Sequence, residues 1–194
     1  MKLLIATKNP GKAGEMQRFL GAVFETSLLP TDAPDVRETG VTFEENAVQK
    51  ATEYFRLYGI PTVADDGGLE IDALNGEPGV YSRRWPGYEA TDKELIDLAL
   101  TKLDGVPPER RTAHLRTVGA FYDGTRTLTK TASIAGVIVT QAPLECEKGY
   151  PFRSIFFVPR FGKLFRDLTH NEHEQVNHRR VVFAELAKSI LQGV

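Results

Sequence analysis

The chain has 194 residues, 41% hydrophobic and 26% charged, a composition typical of a folded globular protein. This length fits one domain and leaves room for two lobes. Its 24 basic and 26 acidic side chains give a net charge of −2, which argues against a general nucleic-acid-binding protein. Cys146 is the single cysteine, so no disulfide can form within the chain, as in proteins of reducing compartments.

No segment has the length of a targeting or membrane-spanning sequence. The apolar run at residues 3–6 is too short for the core of a signal peptide. No stretch approaches the roughly 20 apolar residues needed to cross a bilayer. We therefore expect a cytoplasmic protein that binds neither membranes nor nucleic acid.

The apolar periodicity and the turn residues predict strand–helix units followed by hairpins. The predicted elements are a strand at residues 3–6, a turn at 9–12 that leads into a helix, a helix from Thr42 to Gly59, a strand at 62–64, a helix from Thr91 to about Leu103, strands at 115–122, 127–131, 132–140 and 155–158, and a helix at 178–191. Thr42 and Glu45 have the spacing of a capping box, and Asp123-Gly124, between the strands at 115–122 and 127–131, predicts a hairpin turn. This mixture predicts an α/β or α+β fold with a mixed sheet.

Two adjacent carboxylates, Asp65 and Asp66, directly follow the predicted strand at residues 62–64. Burying such a pair is unfavourable unless the charges are paired or bind a metal ion. Gly67 and Gly68 come next, and they would let the chain turn sharply and approach a ligand closely. Hard oxygen ligands beside a permissive loop suit Mg²⁺, although an ordinary surface turn has the same composition.

A second candidate lies at the first predicted strand end, where Thr7, Asn9 and Lys12 precede a helix. Free backbone N–H groups and the helix dipole favour phosphate at such a point, and Lys8 and Lys12 would add charge. The spacing of a Walker A loop is absent, and an ordinary strand-to-helix turn would have the same pattern.

Two basic segments are further candidates. Residues 78–85 place two arginines beside aromatic side chains, which suits contact with phosphate or a base as well as a surface loop or a subunit interface. His178 and Arg179 lie at the predicted start of the last helix, where positive charge opposes the helix dipole. A sequence that tolerates this placement indicates a use for these groups.

Seven short segments lie in an order that matches one known family. They are Thr7-x-Asn9-x-x-Lys12, Phe43-x-Glu45-Asn46-Ala47-x-x-Lys50-Ala51, Ala64-Asp65-Asp66-x-Gly68-Leu69, Pro78-Gly79-Val80-Tyr81-Ser82, Arg111-Thr112-Ala113-His114, Ile155-Phe156-Phe157-Val158-Pro159 and His178-Arg179. Together they resemble the inosine triphosphate pyrophosphatase family, also called HAM1-like proteins. The resemblance covers nearly the whole chain.

The resemblance implies a two-lobed α/β fold around a long mixed β-sheet, with the nucleotide in a cleft between the lobes. It implies a homodimer, Mg²⁺, and hydrolysis of ITP, dITP and XTP to the monophosphate and pyrophosphate, which clears deaminated purines from the nucleotide pool. Glu45 with Asp65 or Asp66 would hold Mg²⁺, and Asp66 is our choice for the base that acts on the attacking water.

The same resemblance implies a set of substrate-binding residues. They are Asn9 and Lys12 at the triphosphate with Thr7 shaping their loop, Lys50 near the phosphates, Gly67 after the carboxylates, Ser82 and Arg83 bordering the cleft, Tyr150, Phe152 and Arg153 in the base pocket, and His178 and Arg179 at the base edge. These roles are physically consistent, because phosphoryl chemistry depends on positioning and charge neutralisation.

One segment departs from the family pattern, which is usually Gly-aromatic-Gly-Tyr-Asp-Pro before the Ile-Phe strand. The aligned residues here are Gly149-Tyr150-Pro151-Phe152-Arg153-Ser154. Tyr150 can still stack on a purine, but Phe152 lacks a hydroxyl, Arg153 reverses a charge and Pro151 stiffens the loop. We therefore expect base specificity to be shifted or relaxed. The alternatives are the same chemistry on another base, as in Maf-like pyrophosphatases, or a nucleotide-binding protein with little turnover.

Overall fold

The computed structural model describes residues 1–193, which contain seven β-strands and five α-helices. The strands are β1 (Lys2–Ile5), β2 (Glu25–Leu28), β3 (Thr62–Ile71), β4 (Thr112–Tyr122), β5 (Thr127–Ile138), β6 (Phe156–Val158) and β7 (Lys163–Leu164), and the helices are α1 (Pro10–Leu20), α2 (Phe43–Tyr58), α3 (Asp92–Lys102), α4 (His170–Val176) and α5 (His178–Gln192). The sheet order is β2-β1-β3-β4-β5-β6-β7. β1 pairs in parallel with β2 and β3, whereas β6 pairs antiparallel with β5 and β7, which confirms the predicted α/β fold with a mixed sheet.

The chain divides into two compact units, each with its own hydrophobic core. The first comprises Met1–Asp66, Thr117–Ala132 and the residues from His178 onward, and the second comprises Gly67–Arg116 and Ser133–Asn177. That all 194 residues form a single domain stays a prediction. Over the described part of the chain, no helix combines the length and the apolar character needed to cross a bilayer.

The helices of the first unit begin at side chains suited to capping. Asn9 caps α1, because its Oδ1 accepts hydrogen bonds from the backbone N–H groups of Gly11 and Lys12 at 2.9 and 3.1 Å. Thr42 forms the predicted capping box of α2, which ends at Gly59 in the left-handed conformation. The apolar faces of these elements close the core, whose largest fully buried side chains are Leu3, Ile5, Met16, Leu20, Phe121 and Phe183.

The core of the second unit gathers around α3, which begins after Thr91 as predicted, with a capping box formed by Thr91 and Glu94. Arg111 is buried there and donates hydrogen bonds to the backbone carbonyls of Leu103 and Val106 at 2.8 Å and of Val139 at 3.1 Å. Because Leu103 caps the C-terminus of α3, the arginine satisfies a carbonyl at the negative end of the helix dipole. The family-like segment at Arg111 therefore has a structural explanation.

The sharp turn predicted at Gly67 and Gly68 is wrong. Both residues lie inside the ten-residue strand β3, and neither has a positive φ. β3 lies between β1 and β4 in the sheet, so its backbone remains extended and hydrogen-bonded. Packing explains Gly68 instead, because a Cβ at this position would clash with the hydroxyl of Ser82.

The hairpin predicted at Asp123 and Gly124 is confirmed. Gly124 has a φ of 97°, and the Asp123 side chain accepts hydrogen bonds from the backbone N–H groups of Thr125 and Arg126. The two strands predicted at 127–131 and 132–140 are one strand, β5, which ends at Ile138. The strand continues because every second residue near its end is buried, with no break in the alternation.

Close packing at Gly119 on β4 predicts a loss of stability for any side chain there. A Cβ would lie 2.5 Å from Val182 Cγ1 and 2.8 Å from Leu186 Cδ1, both on α5. We expect Gly119→Ala to lower the free energy of unfolding by about 1–3 kcal/mol, measured by urea denaturation, because overpacking forces its neighbours to move. Gly14→Ala on α1 is the matched control, since nothing lies within 4 Å of its added Cβ. Equal stability of the two variants would contradict this account of the core.

Candidate functional site

Asp65 and Asp66 lie on β3 just beyond the end of β1, whose last residue, Ile5, pairs with Val63. The carboxyl ends of parallel strands are the usual place for ligands in α/β folds. Both carboxylates are buried, with relative exposures of 1% and 8%. Because successive residues on a strand point to opposite faces, the two side chains have different surroundings.

Positive charges from two helices surround Asp65. Its Oδ2 lies 3.2 Å from the Lys12 Nζ on α1 and accepts hydrogen bonds from the Arg179 Nη2 and Nε on α5, at 3.2 and 3.3 Å. The Nη1 of Arg179 donates to Glu15 Oε2 at 2.6 Å. The result is a chain of alternating charges from the half-buried Lys12 through the buried Asp65 and Arg179 to the half-buried Glu15.

These contacts determine the charge state of Asp65. Burial by itself would raise the pKa of this carboxyl, but the charges of Lys12, Arg179 and Lys50 outweigh burial and hold the pKa well below its usual range. Asp65 therefore stays ionised. Its Oδ1 is buried and accepts no hydrogen bond from any residue that the structure describes.

The burial of the Asp66 carboxylate is offset less by positive charge than that of Asp65. Its Oδ2 accepts a hydrogen bond from the Asn46 Nδ2 at 3.0 Å, and its Oδ1 lies 3.9 Å from the Lys50 Nζ. Burial raises the pKa of Asp66 above its usual value, because Lys50 and Lys12 offset it only in part and the negative charge of Glu38 opposes ionisation further. The pKa values of Asp65 and Asp66 are thus shifted in opposite directions.

Lys50 holds two acids of the site together. Its Nζ lies 2.6 Å from Glu38 Oε1 in addition to its contact with Asp66. Burial would lower the pKa of Lys50, but Asp66, Asp65 and Glu38 together raise it, so the ammonium keeps its charge. Sequence reasoning missed Glu38, because the segment before Thr42 carries no periodicity or motif that marks it.

Glu45 has the capping role that its position in the sequence also allowed. Its Oε2 accepts hydrogen bonds from the backbone N–H groups of Val41 and Thr42, at 2.7 and 3.3 Å. Within residues 1–193, no three His, Cys, Asp or Glu side chains are close enough to bind a metal by themselves. The role of Glu45 as a metal ligand stays a prediction.

The predicted phosphate loop is an ordered helix start. Thr7 Oγ1 accepts a hydrogen bond from the Asn9 N–H at 3.3 Å, and the Asn9 side chain occupies the first N–H groups of α1. Lys8 pairs with Asp35 on the surface, at 2.7 Å. Of the four polar residues in this loop, Lys12 is the one that the structure brings to the carboxylates. The substrate contacts of Thr7 and Asn9 stay predictions.

The second unit contains another group of predicted residues, among them Gly67, its first residue. The Ser82 hydroxyl accepts a hydrogen bond from the Leu69 N–H at 3.0 Å and donates to the Gly79 carbonyl at 2.6 Å. Arg83 donates to Asp92 Oδ1 at 2.5 Å. Asp92 Oδ2 also accepts a hydrogen bond from the backbone N–H of Gly149, so Asp92 joins two of the segments predicted to bind substrate.

The segment that departs from the family pattern forms a short 3-10 helix at Pro151–Ser154. The guanidinium of Arg153 lies 3.8 Å from the centre of the Tyr150 ring and pairs with Glu147 at 3.3 Å. Phe152 is buried and contacts Trp85 edge to face. Arg153 therefore covers one face of the tyrosine that was predicted to stack on a purine.

His178 and Arg179, at the start of α5, are both buried. The pairing of Arg179 with Asp65 and Glu15 explains why positive charge is tolerated at the positive end of a helix dipole. Arg179 is therefore used to pair acids of the protein itself. Contacts of either residue with a base edge stay predictions.

The buried charge of Asp65 predicts a specific loss of stability on neutralisation. We expect Asp65→Asn to lower the free energy of unfolding at pH 7 by about 3–5 kcal/mol, because Lys12 and Arg179 lose a buried partner. The folded-state pKa of Asp65 lies below the unfolded value. Its contribution is therefore present above about pH 4 and lost as the pH falls below that. Denaturant titrations at several pH values should show a shallower loss in acid for the variant.

Asp35→Asn is the matched control, because Asp35 forms its ion pair with Lys8 on the surface, where such pairs contribute little. This variant should keep the wild-type unfolding midpoint and the wild-type response to acid. Equal effects of the two substitutions would contradict the distinction between the buried and the exposed pair.

Comparison with known proteins places this arrangement in a family. A family model described as the Ham1 family matches residues 3–189. A dITP/XTP pyrophosphatase of Geobacillus kaustophilus is 39% identical over 189 residues, which cover 95% of this chain and 92% of that protein. A dITP/XTP pyrophosphatase of an Exiguobacterium species is 40% identical over 194 residues, 98% of this chain and 97% of that protein.

Solved structures give the same result. The Ham1 protein of Staphylococcus aureus has a TM-score of 0.83 at 30% identity and covers 100% of this chain and 99% of its own. A HAM1 protein from Coxiella burnetii has a TM-score of 0.84 at 32% identity and covers 100% of both chains. On the match over residues 3–189 and these full-length similarities, the chain belongs to the Ham1 family.

Proposed function

We propose that this chain hydrolyses the α–β anhydride bond of ITP, dITP and XTP to give the nucleoside monophosphate and pyrophosphate, and so removes deaminated purines from the nucleotide pool. The observation that carries the proposal is the pair of adjacent buried carboxylates, Asp65 and Asp66, whose pKa values are shifted in opposite directions. Environments that separate two acids in this way are typical of catalytic acid–base sites. The name shared by the relatives, dITP/XTP pyrophosphatase, supports the substrate class.

Lys12 and Lys50 are proposed to bind the triphosphate. Hydrolysis of a polyanion depends mainly on positioning and on neutralisation of its charge. Both ammonium groups already lie beside the carboxylates, at 3.2 Å from Asp65 and 3.9 Å from Asp66. Lys12 also lies in the first turn of α1, where the helix dipole favours anions. The Arg179 guanidinium is held between Asp65 and Glu15, and we assign it to keeping Asp65 in place.

Asp66 is proposed to accept a proton from the attacking water. A carboxylate whose pKa is raised is a better proton acceptor near neutral pH than an ordinary one. Asp65 is less suited to this step, because its pairing with Lys12 and Arg179 lowers its pKa and so its basicity. In this proposal Asp65 keeps a fixed negative charge, and Asp66 accepts the proton.

The donor set fits Mg²⁺, which proteins usually hold with one or two carboxylates and the substrate's phosphates. Asp66 and Glu38 approach the same Lys50 ammonium, and the buried Oδ1 of Asp65 has no hydrogen-bond donor among the described residues. We propose that Glu38 and one of the two aspartates, Asp65 or Asp66, hold the ion, with Glu38 in place of the predicted Glu45. When bound, Mg²⁺ would neutralise phosphate charge and make a water more acidic.

The homodimer implied by the resemblance and the cytoplasmic location expected from the sequence belong to the same proposal. Neither changes the roles assigned to Asp66, Lys12 and Lys50, because all three belong to the first unit of one chain.

Pyrophosphate release measured across a panel of nucleotides tests the proposal. With Mg²⁺, we expect ITP, dITP and XTP to be hydrolysed, and a kcat/KM for them more than about 100-fold above that for ATP and GTP would contradict the shifted or relaxed specificity expected from the segment at Tyr150 and Arg153. Asp66→Asn should lower kcat by about 10²- to 10⁴-fold, because an amide cannot accept the proton. Asp97→Asn is the control, since Asp97 pairs with Lys93 on the exposed face of α3.

Each other outcome of the panel has a definite meaning. Comparable rates on ITP, ATP and GTP would support the relaxed specificity expected from the segment at Tyr150 and Arg153. Release from a different nucleotide alone would keep the chemistry and replace the substrate. Binding without release from any nucleotide would contradict the proposal and favour a binding protein.

A further inference from the structure

We propose that Asn46 is a positioning residue for the reaction, which sets the orientation of the Asp66 carboxylate and couples it to the segment before α2. The inference rests on the proposed function, because it gives Asn46 a role relative to Asp66 as the proton acceptor. It is carried by the hydrogen bonds around one buried amide. None of the roles described above is assigned to this residue.

The Asn46 amide has a defined orientation. The side chain is 1% exposed, so both ends of the amide need partners within the protein. The Gly40 backbone N–H donates to Oδ1 at 2.8 Å, and Nδ2 donates to Asp66 Oδ2 at 3.0 Å. Because a backbone N–H pairs only with an acceptor, Gly40 determines which end of the amide is oxygen and thereby directs the NH₂ group to Asp66.

Residues 37–41, here called the strap, are fastened along α2 by a series of side chains. Hydrogen bonds join Glu45 to Val41, Asn46 to Gly40, Gln49 to Thr39 and Arg37, and Lys50 to Glu38. At Gly40 the strap packs closely against α2, since a Cβ there would lie 2.6 Å from Glu45 Cβ and 2.7 Å from Asn46 Oδ1. This close packing brings the Gly40 N–H to Asn46.

This arrangement holds the two oxygens of Asp66 in different ways. Oδ2 accepts the hydrogen bond from Asn46, while Oδ1 lies on the side of the Lys50 ammonium. Removing the Asn46 donor removes a hydrogen bond that helps to orient the carboxylate. Since a displacement of about 1 Å at a reacting group can lower a rate by about 100-fold, the effect should appear in kcat.

A pair of chemically identical substitutions separates this role from a merely structural one. Asn46 and Gln49 lie three residues apart on α2. In both Asn46→Asp and Gln49→Glu, the side chain keeps the oxygen that accepts a hydrogen bond from the strap, loses the amide NH₂ group and gains one negative charge. The Asn46 NH₂ donates to Asp66, whereas the Gln49 NH₂ donates to the Arg37 carbonyl. We expect Asn46→Asp to lower kcat for ITP by about 10- to 100-fold with KM changed less than about threefold. Gln49→Glu should keep kcat within about twofold of wild type.

Asn46→Ala provides a variant without the added charge, and it should show the same loss of kcat. A folded Asn46→Ala variant with wild-type kcat would overturn the proposal. A rise in KM with unchanged kcat would also overturn it, because it would indicate contact with the substrate.

A second measurement does not depend on activity or on the folding of the Asn46 variants. The side-chain NH₂ signals of Asn46 in ¹H–¹⁵N spectra should shift on Asp66→Asn, while those of Gln49 stay in place. An unshifted Asn46 signal would contradict the contact itself. If the wild-type protein released no pyrophosphate from any nucleotide, the proposed function would fail, and the NMR comparison would still decide whether Asn46 holds Asp66.

Discussion

Asp65 is a buried, ionised carboxylate on β3. The first unit depends on the positive charges that keep it ionised. An unpaired buried carboxylate would destabilise the fold by several kcal/mol, so Lys12 and Arg179 have to lie against it. Lys12 comes from the first turn of α1 and Arg179 from the first turn of α5. One side chain on β3 thus brings together the first turns of two helices, and Glu15 completes the network by pairing with Arg179.

Asp66, the next residue on β3, is also buried, but its pKa is shifted in the opposite direction. Asp66 lies on the opposite side of the strand, where Lys50 is shared with Glu38 and Asn46 donates a hydrogen bond to Asp66. Less positive charge reaches it, so burial raises its pKa while that of Asp65 is lowered. A strand that turns adjacent residues to opposite faces can in this way place a fixed charge and a proton acceptor side by side.

Features set by residues close together in the sequence were predictable, whereas contacts between residues far apart in the sequence were not. The capping box at Thr42, the helix start at Thr91 and the turn at Gly124 are set by residues within a few positions, and all three are confirmed. Asp65 and Asp66 were identified because two charges after a buried strand need an explanation. Their partners are not local, since Arg179 lies 114 residues from Asp65. Gly68 was misinterpreted as a turn residue because the Ser82 hydroxyl that excludes a side chain there is distant in sequence, and Glu38 carries no local signal at all.

The central claim, that adjacent aspartates have opposite electrostatic environments, is tested most directly by following the two side-chain carboxyl carbons in ¹³C NMR as a function of pH. Asp66→Asn identifies the Asp66 signal by its disappearance. The account predicts that Asp65 shows no titration step at or above the usual value of about 3.9, whereas Asp66 titrates clearly above it. Two steps at ordinary values, or an Asp65 step at higher pH than that of Asp66, would contradict it.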